Sequence, residues 1–347
     1  MTKTTIHDVA ARAGVSLATV DRVLNRRPGV RPQTIAKVEA AAQELNYRPD
    51  PYAANLAKKR SDRFLFLLPE GRNPFMQQLA REALATAERV LMDRVTLSVR
   101  HVDTFDKAAL ASALSQIDPG EYEGVAVVAQ DAPVIRRAID TLRERGVHVV
   151  TLISDVAAAG RDHFVGVDNV AAGRVAGRLI GRFLPQAPGK IALICGTLAL
   201  SDHAQRVEGC RAVLEADYPH LEVLPVREGR DDDILTRETA TDLLKNEPEL
   251  VGLYNVGSGT RGLIASLEAN AAPGKPVTIA HELTPHSAQA LEAGTLDALI
   301  CQDPGHEIRS AARVLKALVD NAPLVKGQER IRIEIYIREN LPFGFSG

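Results

Sequence analysis

The residues best suited to bind a small molecule follow short apolar runs in the later part of the chain. Polar side chains stand at or shortly after seven of these runs: Asn73, Asp131, Asp155, Arg206, Asn255, Glu282 and Gln302. One such residue would mean little, because polar side chains commonly cap the helix that follows. In open α/β sheets, however, ligands bind outside the carboxyl ends of the strands. The seven residues together therefore predict a ligand cleft.

The same sequence offers little for catalysis. It contains no G-x-S-x-G, H-E-x-x-H or G-x-x-x-x-G-K-[ST] motif, and its nearest glycine pattern, GSGTRG at 257–262, has no phosphate-binding context. The nine His residues are scattered, and Cys195, Cys210 and Cys301 lack the spacing of metal ligands. We therefore expect a binding protein with reduced, structural thiols, no cofactor and no metal, rather than an enzyme.

The apolar runs that would position these residues alternate with amphipathic helices from residue 64 onward. The strand candidates are FLFLLP, VTLSVRHV, GVAVVAQD, VHVVTLIS, HFVGVDN, KIALICG, LEVLPV, LVGLYNV, VTIAHEL, DALICQD and IRIEIYI. All but the last lead into a helix-like stretch or a bend towards one. This order is typical of parallel sheets covered by helices on both faces, and it predicts two α/β lobes.

The first sixty residues have a different character. They hold eleven Lys or Arg against five Asp or Glu, whereas the remainder holds 31 basic and 39 acidic residues. Thr5 caps the predicted helix IHDVAARAG, Gly14 ends it, and Ser16 caps a second helix, LATVDRVLN. A third helix from Pro32 to Leu45 closes a small core. Two short helices joined by Gly-Val-Ser, in a basic head, predict a helix-turn-helix nucleic-acid-binding module.

Residues 4–60 resemble the DNA-binding head of the lactose repressor (LacI) family in the stretches TIHDVAARAGVSLATVDRVLN, KVEAAAQELNYRP and AANLAKK. The resemblance implies that Leu17, Ala18 and Arg22 read bases in the major groove. It assigns a second set of residues to the DNA backbone: Thr5, Ser16, Thr19, Asn25 and Thr34. Asp21, where the family commonly has Ser, is a departure that bears on phosphate affinity rather than on the fold.

Pro49-Asp50-Pro51 separates this head from the body and is followed by YAANLAKKR. A segment of about eight residues cannot hold a helix in isolation, because helix nucleation is costly. The resemblance implies that residues 49–60 form a hinge helix on operator DNA, with Ala53 and Leu56 in the minor groove. The alternative is a plain linker with Leu56 packed on the body.

Residues 61–341 resemble the type I periplasmic sugar-binding fold, particularly the ribose-binding-like branch that serves as effector domain in the same family. The matching stretches are NPF, QDAP, GVDN, QRVEG, LYNVG, AHE and CQDP. The resemblance implies that Phe75 stacks on a sugar ring, and that polar residues bond its hydroxyls: Asp131, Arg206, Asn255, Glu282 and Gln302. Glu282 stands where relatives often have Asp, which leaves a sugar, a polyol or a cyclitol open as the ligand.

The family's topology implies a helix-turn-helix head at 1–48, a hinge at 49–60 and a two-lobed body at 61–341. It divides the body into a first lobe of about 61–165 and 299–322 and a second lobe of about 166–298 and 323–341. It further implies a homodimeric regulator of palindromic operators, mostly a repressor, although in some members the ligand is a corepressor or the protein activates.

A transporter's solute-binding protein would share the body but lack the head, so the first sixty residues argue against it. Neither a signal peptide nor an apolar run long enough to span a bilayer is evident, which predicts a cytoplasmic protein. The sequence also carries no leucine-heptad tail, which favours a dimer over a tetramer.

Overall fold

The computed structural model describes residues 4–24, 28–47, 61–71, 73–90, 95–270, 274–325 and 327–342. The chain divides into two compact units, Met1–Ser61 and Asp62–Gly347. The first is helical and the second consists of parallel sheets covered by helices. This architecture confirms the predicted fold class, a helical head followed by an α/β body.

The head contains three helices: α1 (Ile6–Ala13), α2 (Leu17–Leu24) and α3 (Pro32–Glu44). Thr5 and Asp8 form a reciprocal capping box at the start of α1, which satisfies backbone N–H groups that a helix end otherwise leaves unpaired. Gly14 ends α1 with φ +67°, a left-handed conformation that costs glycine little. The Ser16 hydroxyl accepts a hydrogen bond from Thr19 N at 3.2 Å. Local sequence signals therefore set the boundaries of these helices.

The first lobe of the body is built on a five-stranded parallel sheet in the order β2-β1-β3-β4-β5. Its strands are β1 (Asp62–Pro69), β2 (Val95–Val102), β3 (Gly124–Val127), β4 (His148–Leu152) and β5 (His163–Val165). Its helices are α4 (Pro74–Val90), α5 (Lys107–Ser115), α6 (Pro133–Glu144) and α12 (Pro304–Val319). Separate apolar clusters lie on the two sheet faces. This two-sided burial explains why β1 reads as a continuous apolar run.

The second lobe contains a seven-stranded sheet in which β8 pairs with β6 and the other strands run β12-β11-β10-β9-β6-β7. Its strands are β6 (Gly189–Cys195), β7 (Leu221–Val223), β8 (Arg227–Glu228), β9 (Leu250–Asn255), β10 (Val277–His281), β11 (Ala298–Cys301) and β12 (Glu334–Tyr336). Its helices are α7 (Asn169–Phe183), α8 (Ser201–Asp217), α9 (Asp233–Asn246), α10 (Thr260–Ala269) and α11 (Pro285–Glu292). Only β12 runs antiparallel to its neighbour in the pairings of this sheet among described residues.

One lobe boundary differs from the expected one. The sequence prediction places 299–322 in the first lobe, yet β11 (Ala298–Cys301) pairs with β10 on one side and β12 on the other, both in the second sheet. The chain therefore crosses to the first lobe only after Cys301, immediately before α12. Pairing with β10 decides the position of this strand, and hydrophobic periodicity carries no information about a pairing partner.

Helices α7 and α8 approach each other closely through glycine. A Cβ atom added at Gly173 would lie 2.0 Å from the carbonyl oxygen of Arg206, and one added at Gly209 would lie 2.1 Å from that of Val170. Both obstacles are backbone atoms of the facing helix, so they cannot rotate away as a flexible side chain would. This contact fixes the backbone of α8 at the residue that carries the Arg206 guanidinium.

We expect Gly173→Ala to destabilise the body by about 1–3 kcal/mol, because forcing the two helices apart outweighs the gain in helix propensity. Urea denaturation would measure the change. Gly327→Ala is the matched control, since no atom lies within 4 Å of the added Cβ at that position. Equal stability of the two variants would contradict the steric explanation.

The three cysteines are buried. Burial raises the pKa of both Cys195 and Cys210 to about 12, which leaves their thiols protonated and poorly reactive at neutral pH. None of the helices in the described ranges is both long and apolar enough to cross a bilayer.

Candidate functional site

The head exposes the residues predicted to read DNA bases. Helix α2 buries Val20 and Val23 against the head's core, while Leu17, Ala18 and Arg22 are exposed. Leu17 retains 39% of its surface. The helix therefore presents an apolar pair and a guanidinium on one accessible face.

The residues predicted to contact the DNA backbone lie at helix starts in the same unit. Thr5 and Ser16 are exposed, and Thr19 and Thr34 are half-buried near the starts of α2 and α3. The Ser16 and Thr19 hydroxyls are 2.9 Å apart. Asn25, Ala53 and Leu56 lie outside the described residues, as does the whole predicted hinge segment, residues 49–60.

The body has a cleft lined by both lobes at the carboxyl ends of the strands. The first lobe contributes Asn73, Phe75, Ile153 and Ser154, among others, and the second contributes a larger polar set. The cleft encloses a cavity of about 60 Å³. At roughly 10–15 Å³ for each water-sized group, this space holds about four to six such groups.

Asn73 and Phe75 form one wall of the cleft at the start of α4. The Asn73 carboxamide oxygen accepts hydrogen bonds from Phe75 N at 3.0 Å and Met76 N at 3.3 Å, and so caps the helix. Phe75 is 7% exposed and also packs in the core between α4 and the first sheet. The aromatic ring therefore serves the core and lines the cleft at once.

Arg206 is the buried cation of the cleft, with 3% of its surface exposed. Its Nε donates to Asn169 Oδ1 at 2.8 Å, and its Nη1 donates to the Val256 carbonyl at 3.0 Å. Both acceptors are neutral, so the described bonds hold the guanidinium in place without cancelling its charge. Because they engage Nε and Nη1, the second amino group, Nη2, remains for a ligand.

Glu282 and Gln302 pair across the second lobe's side of the cleft. Gln302 Nε2 donates to Glu282 Oε1 at 2.9 Å, and Gln302 N donates to Glu282 Oε2 at 3.3 Å. Burial raises the pKa of Glu282 to about 7, against the opposing effects of Arg206 and of the Gln302 hydrogen bonds. The carboxyl group is therefore poised between its charged and neutral forms near neutral pH.

Three other predicted ligand contacts are engaged elsewhere. Asp131 forms an ion pair with Arg136 at 2.6 Å, and Asp155 pairs with Arg161 while accepting a hydrogen bond from Thr151. Asn255 donates from Nδ2 to the loop that leads into α10. None of these three lines the described cleft. The structure thus brings together five of the eight predicted residues: Asn73, Phe75, Arg206, Glu282 and Gln302.

Hydrogen bonds join the two lobes beside the cleft. Ser201 N donates to Ser154 Oγ at 3.1 Å, and Asp155 N donates to Ser201 Oγ at 2.7 Å. Ile153, immediately before this contact, has φ +65°, which is rare for a β-branched residue. Glu282 has a similar φ of +66° across the cleft. Strain of this kind often occurs at ligand sites, where the surrounding contacts hold it.

Several further residues line the cleft although the sequence did not predict them there, among them Asp202, His203 and Asp231. Asp202 lies one helical turn before Arg206 on α8, and residues four apart share one helix face. That spacing was the available signal for Asp202. Asp231 follows the short strand β8, which was not predicted as a separate strand, so no comparable signal was available for it.

The ligand-free body should lose stability as the pH rises past the pKa of Glu282. The raised folded-state pKa, about 7 against an ordinary value of 4.5, means that this contribution is complete below pH 4.5 and is lost as the pH rises through 7. Each tenfold difference in proton affinity between the folded and unfolded states corresponds to at most about 1.4 kcal/mol. Glu282→Gln should remove this pH-dependent contribution to stability. Burial also raises the pKa of Glu307, but both proteins retain that residue, so its effect cancels in the comparison.

Urea unfolding of both proteins at pH 5 and pH 8 measures this effect. We expect the free energy of unfolding of the wild type, relative to the variant, to fall between the two values. A constant difference would contradict the raised pKa.

Two families of known proteins match the chain. Residues 64–323 match the family described as "Periplasmic binding protein domain", and residues 5–50 match "Bacterial regulatory proteins, lacI family". Catabolite control protein A of Priestia megaterium is 30% identical over 219 residues, which are 62% of each chain. The Ribose operon repressor of Bacillus subtilis is 36% identical over 132 residues, 35% of this chain and 40% of that one. The matched segments thus span less than two thirds of these relatives.

The body also resembles solved structures of sugar-binding proteins. GanP, a glucose-galactose binding protein from Geobacillus stearothermophilus, superimposes with a TM-score of 0.73 at 19% sequence identity. The superposition covers 82% of this chain and 100% of that one. At this identity the likeness shows a shared fold and no more.

Proposed function

Because the chain belongs to the LacI family of bacterial regulatory proteins and carries a periplasmic binding protein domain, we propose that it is a sequence-specific DNA-binding transcription regulator. It represses transcription and is controlled by a small sugar, polyol or cyclitol bound in the cleft of its body. The observation that carries the proposal is the exposed face of α2, since Leu17, Ala18 and Arg22 project from a capped helix-turn-helix unit.

On DNA, α2 occupies the major groove. Arg22 can donate two hydrogen bonds to a guanine, and Leu17 with Ala18 can contact a thymine methyl group. Contacts to the DNA backbone set the register of the head and come from Thr5, Ser16, Thr19, Asn25 and Thr34. Residues 49–60 form a hinge helix in the minor groove, where Ala53 and Leu56 make the contacts.

Two heads bind a palindromic operator, so the protein acts as a homodimer whose two-fold axis coincides with that of the DNA. It works in the cytoplasm, where its operator lies. It acts by occupying DNA and not by catalysis, in keeping with relatives whose names are those of a control protein and an operon repressor.

The ligand acts by favouring one arrangement of the two lobes. Phe75 and Asn73 belong to the first lobe, while Arg206 and Glu282 belong to the second. A ligand that bonds both sets stabilises the closed cleft over the open one. Ligand and operator then influence each other through one equilibrium, and the coupling between them must be reciprocal.

The test uses the full-length protein in two steps. Selection from a randomised duplex pool identifies an operator, and a thermal-shift screen of sugars, polyols and cyclitols identifies a ligand, because binding raises apparent stability. Fluorescence anisotropy then measures operator affinity with and without the ligand. We expect the selection to yield a palindrome and the ligand to weaken binding to it. A tighter complex would assign a corepressor, and failure to enrich any sequence would overturn the proposal.

A further inference from the structure

Asp202 occupies an unusual position in the cleft. It lies in the first turn of α8, lines the cavity and retains only 5% of its surface. Its Oδ1 atom is buried and has no hydrogen-bond partner among the described residues. A buried polar atom left without a partner is costly. Native proteins usually retain such an atom where something else supplies the missing bond.

The nearest ionisable neighbour does not satisfy this carboxylate. His203 Nε2 lies 3.7 Å from Asp202 Oδ2, beyond hydrogen-bonding distance. The other ring nitrogen, Nδ1, accepts a hydrogen bond from Thr197 N at 3.3 Å. Asp202 thus gains no hydrogen bond from this histidine.

A second unpaired acceptor belongs to the same cavity. Gln302 Oε1 is buried without a partner among the described residues, while Gln302 Nε2 is engaged with Glu282. That bond fixes the orientation of the amide and leaves its oxygen without a donor. Two oxygen atoms in one cavity, Asp202 Oδ1 on α8 and Gln302 Oε1 at the end of β11, therefore lack hydrogen-bond donors.

The charges around the cavity also favour a ligand group that donates hydrogen bonds. Four carboxyl groups line it at buried or half-buried positions, against the single buried guanidinium of Arg206: those of Asp202, Asp231, Asp233 and Glu282. Arg261 also lines the cavity but is exposed. An anionic ligand group would lie among these carboxylates, whereas a hydroxyl or ammonium group would supply the missing donors.

We propose that Asp202 is a ligand-binding residue, and that the cleft selects polyhydroxylated ligands that offer hydroxyl or ammonium donors and carry no anionic group. The inference rests on the proposed function only in taking this cleft as the effector site. It adds a contact from α8 and a charge preference to that site. The shared chemistry is hydrogen-bond donation, which a neutral polyol and an amino-polyol both provide.

Matched series of compounds distinguish binding of neutral polyols and amino-polyols from binding of anionic ligands. The full-length protein is screened by thermal shift against D-ribose, D-glucose, D-galactose and myo-inositol, with the amino, carboxylate and phosphate derivatives of each. We expect stabilisation by neutral or amino compounds only. Asp202→Asn should then weaken the best compound by about tenfold or more in calorimetry, with the greater loss for an amine because a charge pair is removed.

Asp217→Asn is the control, because this carboxylate lies on the same helix but pairs at the surface with Arg178. It should bind the compound as the wild type does. If Asp202→Asn melts far below the wild type, Asp202→Ser replaces it as a smaller polar side chain.

Stabilisation by the carboxylate or phosphate members overturns the inference, and so does stabilisation by none of the compounds. Unchanged affinity in the Asp202 variant also overturns it. Operator selection by the wild type is scored separately, so a protein that selects an operator but fails these tests retains its regulatory function and loses only this ligand assignment.

Discussion

Arg206→Ala is expected to abolish the response to ligand while leaving operator affinity nearly unchanged. The guanidinium is buried in the cleft and held by Asn169 and the Val256 carbonyl. Losing one partner of a buried charge-assisted hydrogen bond costs roughly 1.5–3 kcal/mol, or about tenfold or more in ligand affinity. Calorimetry with the ligand from the screen, together with an operator titration, measures both quantities.

The substitution also leaves two buried acceptors without their donor, so it should lower the melting temperature. Measurements are therefore made well below the melting temperature of the variant. Arg136→Ala is the matched control, because Arg136 pairs with Asp131 away from the cleft and should retain the ligand response. If Arg206→Ala binds ligand like the wild type, the cleft is not the effector site.

Arg22→Ala is expected to remove much of the sequence preference of the head while weak, salt-sensitive binding to any duplex persists. A bidentate contact to guanine is worth about 1–3 kcal/mol of discrimination, which corresponds to roughly five- to a hundredfold in affinity. General attraction to phosphates comes from the remaining basic residues and is screened by salt. Band shifts on the selected operator and on a scrambled duplex measure the ratio.

Arg12→Ala is the control for this experiment. Arg12 is also an exposed arginine of the head, but it pairs with Glu44 at 2.6 Å and is not among the predicted base contacts. It should change both affinities little and equally. An equal loss on operator and scrambled DNA for Arg22→Ala would assign that residue to general attraction rather than to base reading.

Local sequence patterns predicted most of the helices and strands and the class of the fold. The helix start at Thr5 and the stop at Gly14 depend on hydrogen bonds within one turn, and the start at Pro32 depends on the fixed φ of proline. A few neighbouring residues therefore carry the information. The buried strands could be predicted for a different reason, because they are continuous apolar runs. Helices cover both faces of each sheet, so nearly every strand position must be apolar.

The cleft was only partly predictable. Arg206, Glu282 and Gln302 were selected from their places after strands, and Phe75 was implied by the family resemblance. The structure places all four together; their roles towards a ligand stay predictions. Asp131 and Asp155 had equally suitable places, yet their carboxylates pair with Arg136 and Arg161 instead. The order of the strands places a residue at the edge of the sheet. Whether its charged side chain faces the cleft depends on whether an oppositely charged residue nearby forms an ion pair with it.

Which polar groups remain unpaired depends on the three-dimensional packing and could not be predicted from the sequence. Asp202 reads as an ordinary acid in the first turn of a helix, where it would interact favourably with the helix dipole. Its importance lies in the lack of a partner for Oδ1 and in the presence of Gln302 Oε1, also unpaired, in the same cavity. These two segments are a hundred residues apart. Such a site depends on how distant segments pack within the second lobe, because local sequence specifies the donors and acceptors but not which of them find partners.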